Sequence, residues 1–154
     1  MAIRFVPSPA QVLMCEFESK GFVRPEMQKA RHCVVISPRY RKEWGTCLIV
    51  PFSTQPPDEV RPYHFVIAPN KYRFFTPDTE IWAKANMLTH VGFPRLDRVK
   101  EDGVYCDRFL DLPDFKGIMA AVLHAVGCSR LVPTFLADSE IALDKRGKPG
   151  DNLS

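Results

Sequence analysis

The hydrophobic positions of the chain form a series of short apolar runs separated by polar, proline-containing loops. Runs of this length, bounded by proline and glycine, are typical of strands. The run at 33–37 is apolar on both faces and therefore predicts a central strand. The region 81–93 predicts two further strands or one bent strand, 95–103 a charged connection, and 104–110 an edge strand. The other predicted strands cover 11–17, 46–52 and 63–69.

After residue 111 the hydrophobic period changes from that of strands to that of a helix. Large apolar residues recur at spacings of three and four, which places them on one helical face: Phe115, Ile118, Met119, Val122, Leu123 and Val126. Asp111 is suited to cap the start of this helix, and Gly127 to end it. The pattern predicts a mainly β protein, a small antiparallel barrel or strongly bent sheet covered by one amphipathic C-terminal helix.

Length and composition favour one globular domain. With 154 residues, 45% of them hydrophobic, the chain can bury a sizeable core. We expect a single domain over 1–143 and a polar, frayed tail over 144–154. No apolar run approaches the ~20 residues of a membrane helix, and the N-terminus does not read as a signal peptide. We therefore expect a cytoplasmic protein that does not contact a membrane.

The cysteines and histidines show no ligand-like spacing. None of the five cysteines forms a C-x-x-C pair, and three lie inside apolar runs, which predicts buried free thiols. His32, His64, His90 and His124 are scattered along the chain, so we expect no metal site and no cofactor. Glycine-rich phosphate loops and the common hydrolase motifs are also missing from the sequence.

Positive charge is concentrated in one segment. Residues 20–42 contain seven basic residues and one acidic residue, whereas 13 basic and 14 acidic residues nearly cancel from Pro51 onward. A basic region on a near-neutral body is typical of a surface that binds a polyanion, although such a run can also be an ordinary solvated surface.

Two predicted strand ends carry residues that suit phosphate chemistry. Arg31 and His32 precede the strand at 33–37, and Ser53 and Thr54 follow the strand at 46–52. If these strands are antiparallel neighbours, the four residues converge at one edge of the sheet. A guanidinium binds phosphate oxygens, a hydroxyl can donate a hydrogen bond, and an imidazole can carry a proton near neutral pH. This set fits phosphodiester cleavage, for which RNA supplies its own 2′-hydroxyl nucleophile.

The sequence also resembles a known family in several ordered pieces: QVLMCEF, EMQKARHCVVISP, GTCLIVPFSTQ and DFKGIMAAVLHAVG. Together with weaker similarity in IWAKANMLTHVGFPRLDR, they resemble the PemK/MazF toxins of toxin–antitoxin modules. The resemblance implies an SH3-like barrel, a homodimer, metal-independent cleavage of single-stranded RNA at selected sequences, and a cognate antitoxin.

The same resemblance assigns roles to residues of this chain. Arg31 stands at the family's catalytic arginine and Ser53 at its catalytic threonine, with Thr54 adjacent. His32 stands where a proline is usual, and it either shapes the loop or transfers a proton. The further candidates for RNA contacts are the basic residues Arg24, Lys29, Arg39, Arg41 and Lys42.

Each assignment has a simpler structural alternative. Arg31 could pair with Glu26, and Ser53 could bond its own turn, as Ser–Thr pairs often do. The departures at Lys29, His32 and Ser53 also permit a second function, a binding module that retains the barrel but does not cleave RNA.

Overall fold

A computed structural model describes residues 2–18, 23–24, 26–40 and 42–137. Within these residues the chain forms a largely antiparallel sheet followed by a helical C-terminal region. The strands are β1 (Gln11–Cys15), β2 (Arg31–Val35), β3 (Thr46–Ser53), β4 (His64–Ile67), β5 (Ile81–Lys84), β6 (Thr89–Gly92), β7 (Leu96–Glu101), β8 (Val104–Cys106) and β9 (Arg108–Phe109). The helices are α1 (Leu112–Ala125) and α2 (Val132–Ala137).

The strand order is β4-β5-β3-β2-β1-β7-β8, with β6 added to β3 and β9 added to β1. This confirms the predicted class, an antiparallel β fold with a C-terminal helix. The order does not return to its first strand, so the barrel is not closed in the described residues. β2 lies between β1 and β3, as its apolar sequence predicted.

The central strand β2 is buried on both faces of the sheet, since its consecutive residues Cys33, Val34 and Val35 point to alternate faces and are all buried. On one face, Val34 packs in a core with residues of α1, including Phe115 and Ile118. On the other face, Cys33 and Val35 pack with strand residues that include Leu96. The two faces of β2 therefore lie in different surroundings. Arg31 and His32, the first two residues of β2, point to opposite faces and so have different neighbours.

The predicted buried thiols are confirmed. Cys15, Cys33 and Cys47 are buried and unpaired. Burial raises the pKa of the Cys33 thiol and raises that of Cys47 to about 12. The thiols of Cys33 and Cys47 are therefore protonated near neutral pH, and all three cysteines pack as small apolar side chains.

Helix α1 begins and ends as its sequence indicates. The Asp111 side chain accepts a hydrogen bond from the Asp114 N–H at 2.9 Å, and Gly127 has a φ of +81° just after the helix. On the face towards the sheet, Gly117 lies so close to the ring of Phe65 that a Cβ at this position would overlap it. The missing side chain lets α1 approach β4 closely.

Two features of the fold differ from the sequence expectations. The segment 95–103, predicted as a connection, contains β7, whose Leu96 and Val99 are buried; its frequent charges lie on the exposed side and hide the alternation. The second helix, α2, was not predicted, because only Val132 of its six residues is buried.

The region 81–93 contains two strands, one of the two arrangements expected. The proposed tail at 144–154 lies outside the described residues.

No helix of the described chain is both long and apolar enough to cross a membrane.

Candidate active site

Arg31 and Ser53 end two neighbouring strands at the same edge of the sheet. β2 and β3 are antiparallel, with Cys33 opposite Pro51 and Val35 opposite Ile49. Two residues further along each strand, the same register places Arg31 opposite Ser53. Both residues line a cleft of about 280 Å³, together with His32 and Thr54. The four residues that the sequence predicted to converge therefore meet at one cleft.

Arg31 is the first residue of β2 and not part of the preceding loop. Its side chain is partly buried, and its Nε atom is fully shielded without a hydrogen bond to any described residue. A shielded donor without a partner costs free energy, which a bound anion can recover. The alternative pairing with Glu26 is not formed, and a Glu26 carboxylate oxygen instead accepts a bond from the Val23 N–H at 2.7 Å.

Lys84 adds a second positive charge beside Arg31. It lies on β5, which pairs with β3 on the side away from β2. Partial burial lowers the pKa of Lys84, and the nearby charge of Arg31 lowers it further. Two partly buried cations on strands either side of β3 raise the local positive potential, which favours a bound anion nearby. Sequence reasoning missed Lys84, because it is far from the basic segment along the chain.

Ser53 is almost completely buried, with 5% of its surface exposed. Its Oγ accepts a hydrogen bond from the Gln55 N–H at 3.1 Å, which is the structural role considered from the sequence. That bond uses an acceptor site of the hydroxyl and not its hydrogen. Thr54 is exposed at the rim of the same cleft.

His32 lies on the other face of β2 from Arg31, because consecutive side chains alternate. Its ring centroid is 5.3 Å from that of Phe75 and 6.4 Å from that of Phe74. Burial lowers the pKa of His32, so the imidazole is neutral at pH 7. The cause of this lowering is burial among aromatic rings.

The basic segment does not form one surface beside the cleft. Lys29 is exposed just before β2, at the cleft end, and Arg24 is exposed in the preceding loop. Arg39 and Lys42 lie beyond the opposite end of β2, whose length is roughly 13 Å at 3.3 Å per residue. Arg41 lies outside the described residues. Arg39 and Lys42 are therefore remote from Arg31 in the chain's fold.

The loop at 68–80, between β4 and β5, contributes the cleft residues that sequence reasoning missed. Phe75 and Thr76 line the cleft. Phe75 is 6% exposed and lies across the ring of Phe52, with centroids 4.9 Å apart. The run of two phenylalanines was a signal of burial, but nothing in the sequence indicated which strand ends it covers.

The described residues do not contain a set of side chains arranged to bind a metal ion. Within residues 2–18, 23–24, 26–40 and 42–137, no three His, Cys, Asp or Glu side chains are grouped to hold a metal ion.

Comparisons with known proteins agree with one another. Residues 8–102 match a family described as PemK-like, MazF-like toxin of type II toxin–antitoxin system. The chain is 30% identical over 152 residues to the uncharacterized protein YifN of Escherichia coli (strain K12), covering 86% of this chain and 99% of that one.

Among solved structures, the chain resembles an endoribonuclease in complex with its cognate antitoxin from a mycobacterial species. The TM-score is 0.54 at 18% identity, covering 79% of this chain and 95% of the other. It also resembles MazF from Deinococcus radiodurans, with a TM-score of 0.57 at 11% identity, covering 80% and 98%. At these identities the likeness shows a shared fold.

Proposed function

Because the chain belongs to the PemK-like, MazF-like toxin family of type II toxin–antitoxin systems, we propose that it is an endoribonuclease that cleaves single-stranded RNA at selected sequences without a metal ion. One observation carries this proposal: Arg31, whose shielded Nε has no hydrogen-bond partner among the described residues, lines the same cleft as Ser53. A donor of this kind is suited to a phosphate oxygen.

In the proposed reaction the RNA 2′-hydroxyl attacks the adjacent phosphorus. The bond from phosphorus to the 2′-oxygen forms while the bond to the 5′-oxygen breaks. Solvent water accepts the proton from the 2′-oxygen and supplies one to the leaving 5′-oxygen, so no other reactant is consumed. The products are a 2′,3′-cyclic phosphate and a 5′-hydroxyl.

Arg31 and Ser53 stabilise the charge that develops during this step. The guanidinium of Arg31 contacts the non-bridging phosphate oxygens, and the Ser53 hydroxyl donates to one of them. Lys84 adds positive potential from β5. Preorganised donors are most effective where charge grows in the transition state, and each typically contributes about 3 kcal/mol. His32, neutral and packed against Phe75, shapes the cleft and carries no proton in this scheme.

A second candidate function is RNA binding without cleavage. The burial of Ser53, which is 5% exposed, favours it, because a buried hydroxyl is poorly accessible to a phosphate. Incubation of the protein with a long single-stranded RNA in EDTA separates the two functions. Discrete fragments with 5′-hydroxyl ends, absent when the RNA is replaced by DNA of the same sequence, support cleavage. Retarded but intact RNA supports binding alone and contradicts the ribonuclease proposal.

The proposed partners are a second copy of the chain and a cognate antitoxin. In a homodimer two positively charged clefts would bind one RNA strand, which strengthens the electrostatic attraction. Sedimentation at micromolar concentration should give about twice the 17.6 kDa of one chain. A monomer that cleaves RNA would contradict the dimer and leave the site assignment intact. We further propose that the protein acts in the cytoplasm, where its RNA substrate is found.

A further inference from the structure

The cleft at Arg31 and Ser53 has an apolar side that phosphate binding does not use. Its volume of about 280 Å³ lies at the lower limit of ordinary ligand pockets, roughly 300 Å³. This space suits a single small ring system and not several stacked ones. The apolar side is formed by Met14, His32, Phe52, Phe75 and Ile81.

The chemistry of this side fits a nucleobase. Aromatic side chains form stacking or edge contacts with bases. A neutral imidazole offers one donor and one acceptor, and the hydroxyls of Thr54 and Thr76 stand at the same cleft. The cleft thus combines an apolar floor with a few polar groups at its edge, adjacent to the proposed phosphate site.

We propose that this cleft receives the nucleobase next to the cleaved phosphodiester, and that the loop at 68–80 determines which base is accepted. The inference rests on the proposed ribonuclease function and adds to it the place where the RNA sequence is read. Phe75 limits the depth of the base-binding part of this cleft, called the slot below, and Thr76 supplies a polar group at its rim.

The loop is anchored to α1, which makes it a firm wall for such a slot. The Tyr72 hydroxyl donates to an Asp114 carboxylate oxygen at 2.7 Å and accepts from the Asp111 N–H at 2.9 Å. Lys71 Nζ contacts the carboxylates of Asp111 and Asp114 at 2.9 and 2.7 Å. Asp114 is 7% exposed, so its bonds with Tyr72 and Lys71 are partly shielded from water, whereas the contacts of Asp111 are exposed.

The loop is also closed upon itself. The Asn70 side chain donates to Asp78 at 3.0 Å, and the Asp78 N–H donates back to Asn70 at 2.9 Å. Residues between these two points, Phe75 and Thr76 among them, are therefore held at both ends. Selection of a base requires such a preorganised wall, because a loose wall adapts to any base.

The test compares the sequences around the cut sites in a random-sequence RNA cleaved by the wild type and by Thr76→Val. Thr79→Val is the matched control, because Thr79 lies in the same loop, where its hydroxyl donates to the Pro77 carbonyl at 3.0 Å. We expect Thr76→Val to change the base preference at one position beside the cut by roughly tenfold. Thr79→Val should keep the wild-type preference.

A second variant tests the slot independently of the hydroxyl. Phe75→Leu enlarges the slot and should admit a larger base at the same position, while circular dichroism verifies that the variant is folded. If the wild type cleaves and both variants keep its sequence preference, the base slot is wrong and the ribonuclease function stands. If the wild type leaves RNA intact in EDTA, the function and the slot fail together. The proposed base site would also be wrong if the two variants altered binding of a protein partner while their RNA cut sites stayed the same as those of the wild type.

Discussion

The imidazole of His32 lies edge-on to the ring of Phe75, with centroids 5.3 Å apart and planes inclined by 76°. Arg31, its neighbour in the chain, lies on the opposite face of β2. The two residues that precede the apolar run in the sequence are therefore divided between two environments. His32 belongs to an aromatic cluster, and Arg31 belongs to the proposed phosphate site.

We predict that His32 makes the protein less stable in mild acid. Burial lowers the pKa of His32 in the folded protein, so below about pH 6.5 the unfolded chain binds a proton that the folded chain does not. As the pH is lowered from about 6.5 to the pKa of His32 in the folded protein, the free energy of unfolding should decrease by at most ~1.4 kcal/mol per pH unit.

His32→Phe should reduce this pH dependence, which urea unfolding at several pH values measures. The pH–rate profile of RNA cleavage should keep its form in the variant, because His32 transfers no proton in this account. An unchanged stability profile would contradict the buried neutral imidazole. A lost limb in the rate profile would identify His32 as the proton carrier.

The hydroxyl at residue 53 provides the second prediction. Ser53→Ala should lower the rate of single-turnover cleavage by roughly 10- to 100-fold. Loss of a transition-state donor can cost more, but here the Thr54 hydroxyl lines the same cleft and can partly replace that of Ser53. Ser53→Thr retains the hydroxyl and should restore much of the activity. Thermal unfolding must show that each variant is folded, since the bond from Gln55 is also lost in Ser53→Ala. If Ser53→Ala is fully active and Thr54→Val is inactive, Thr54 is the catalytic hydroxyl.

Close packing between α1 and β4 gives a prediction about stability. In Gly117→Ala the new methyl group meets the ring of Phe65. Overpacking typically costs 1–3 kcal/mol, while alanine gains about 1 kcal/mol of helix propensity. We expect a net loss of up to roughly 2 kcal/mol, as measured by urea unfolding.

A double-mutant comparison makes this prediction specific. In a Phe65→Ala background the ring is gone, and Gly117→Ala should become neutral or stabilising. Equal effects of Gly117→Ala in both backgrounds would mean that the ring does not limit the approach of the helix.

Local sequence patterns were sufficient for much of the fold. The helical spacing from Phe115 to Val122, with Asp111 at its cap, predicted α1, and the apolar run after His32 predicted a central strand. The pattern failed for β7, where charged residues surround Leu96 and Val99. It failed again at α2, a short helix that buries little apolar surface.

The site was predictable only where it depends on neighbouring strands. Arg31 and Ser53 come together because β2 and β3 pair in a register that consecutive antiparallel strands commonly adopt. Lys84 and Phe75 reach the same region through β5 and the 68–80 loop, whose placement depends on long-range contacts. The distant Arg39 shows the converse, since proximity in sequence did not bring it to the cleft.

The central claim is that Arg31 stabilises the transition state of RNA cleavage. Its most direct test is single-turnover cleavage of a single-stranded RNA oligonucleotide in EDTA by the wild type and by Arg31→Ala, with circular dichroism to compare their folding. We predict that the wild type cleaves and that Arg31→Ala is folded but at least ~100-fold slower, a loss of about 2.7 kcal/mol. Near wild-type cleavage by folded Arg31→Ala would contradict the account.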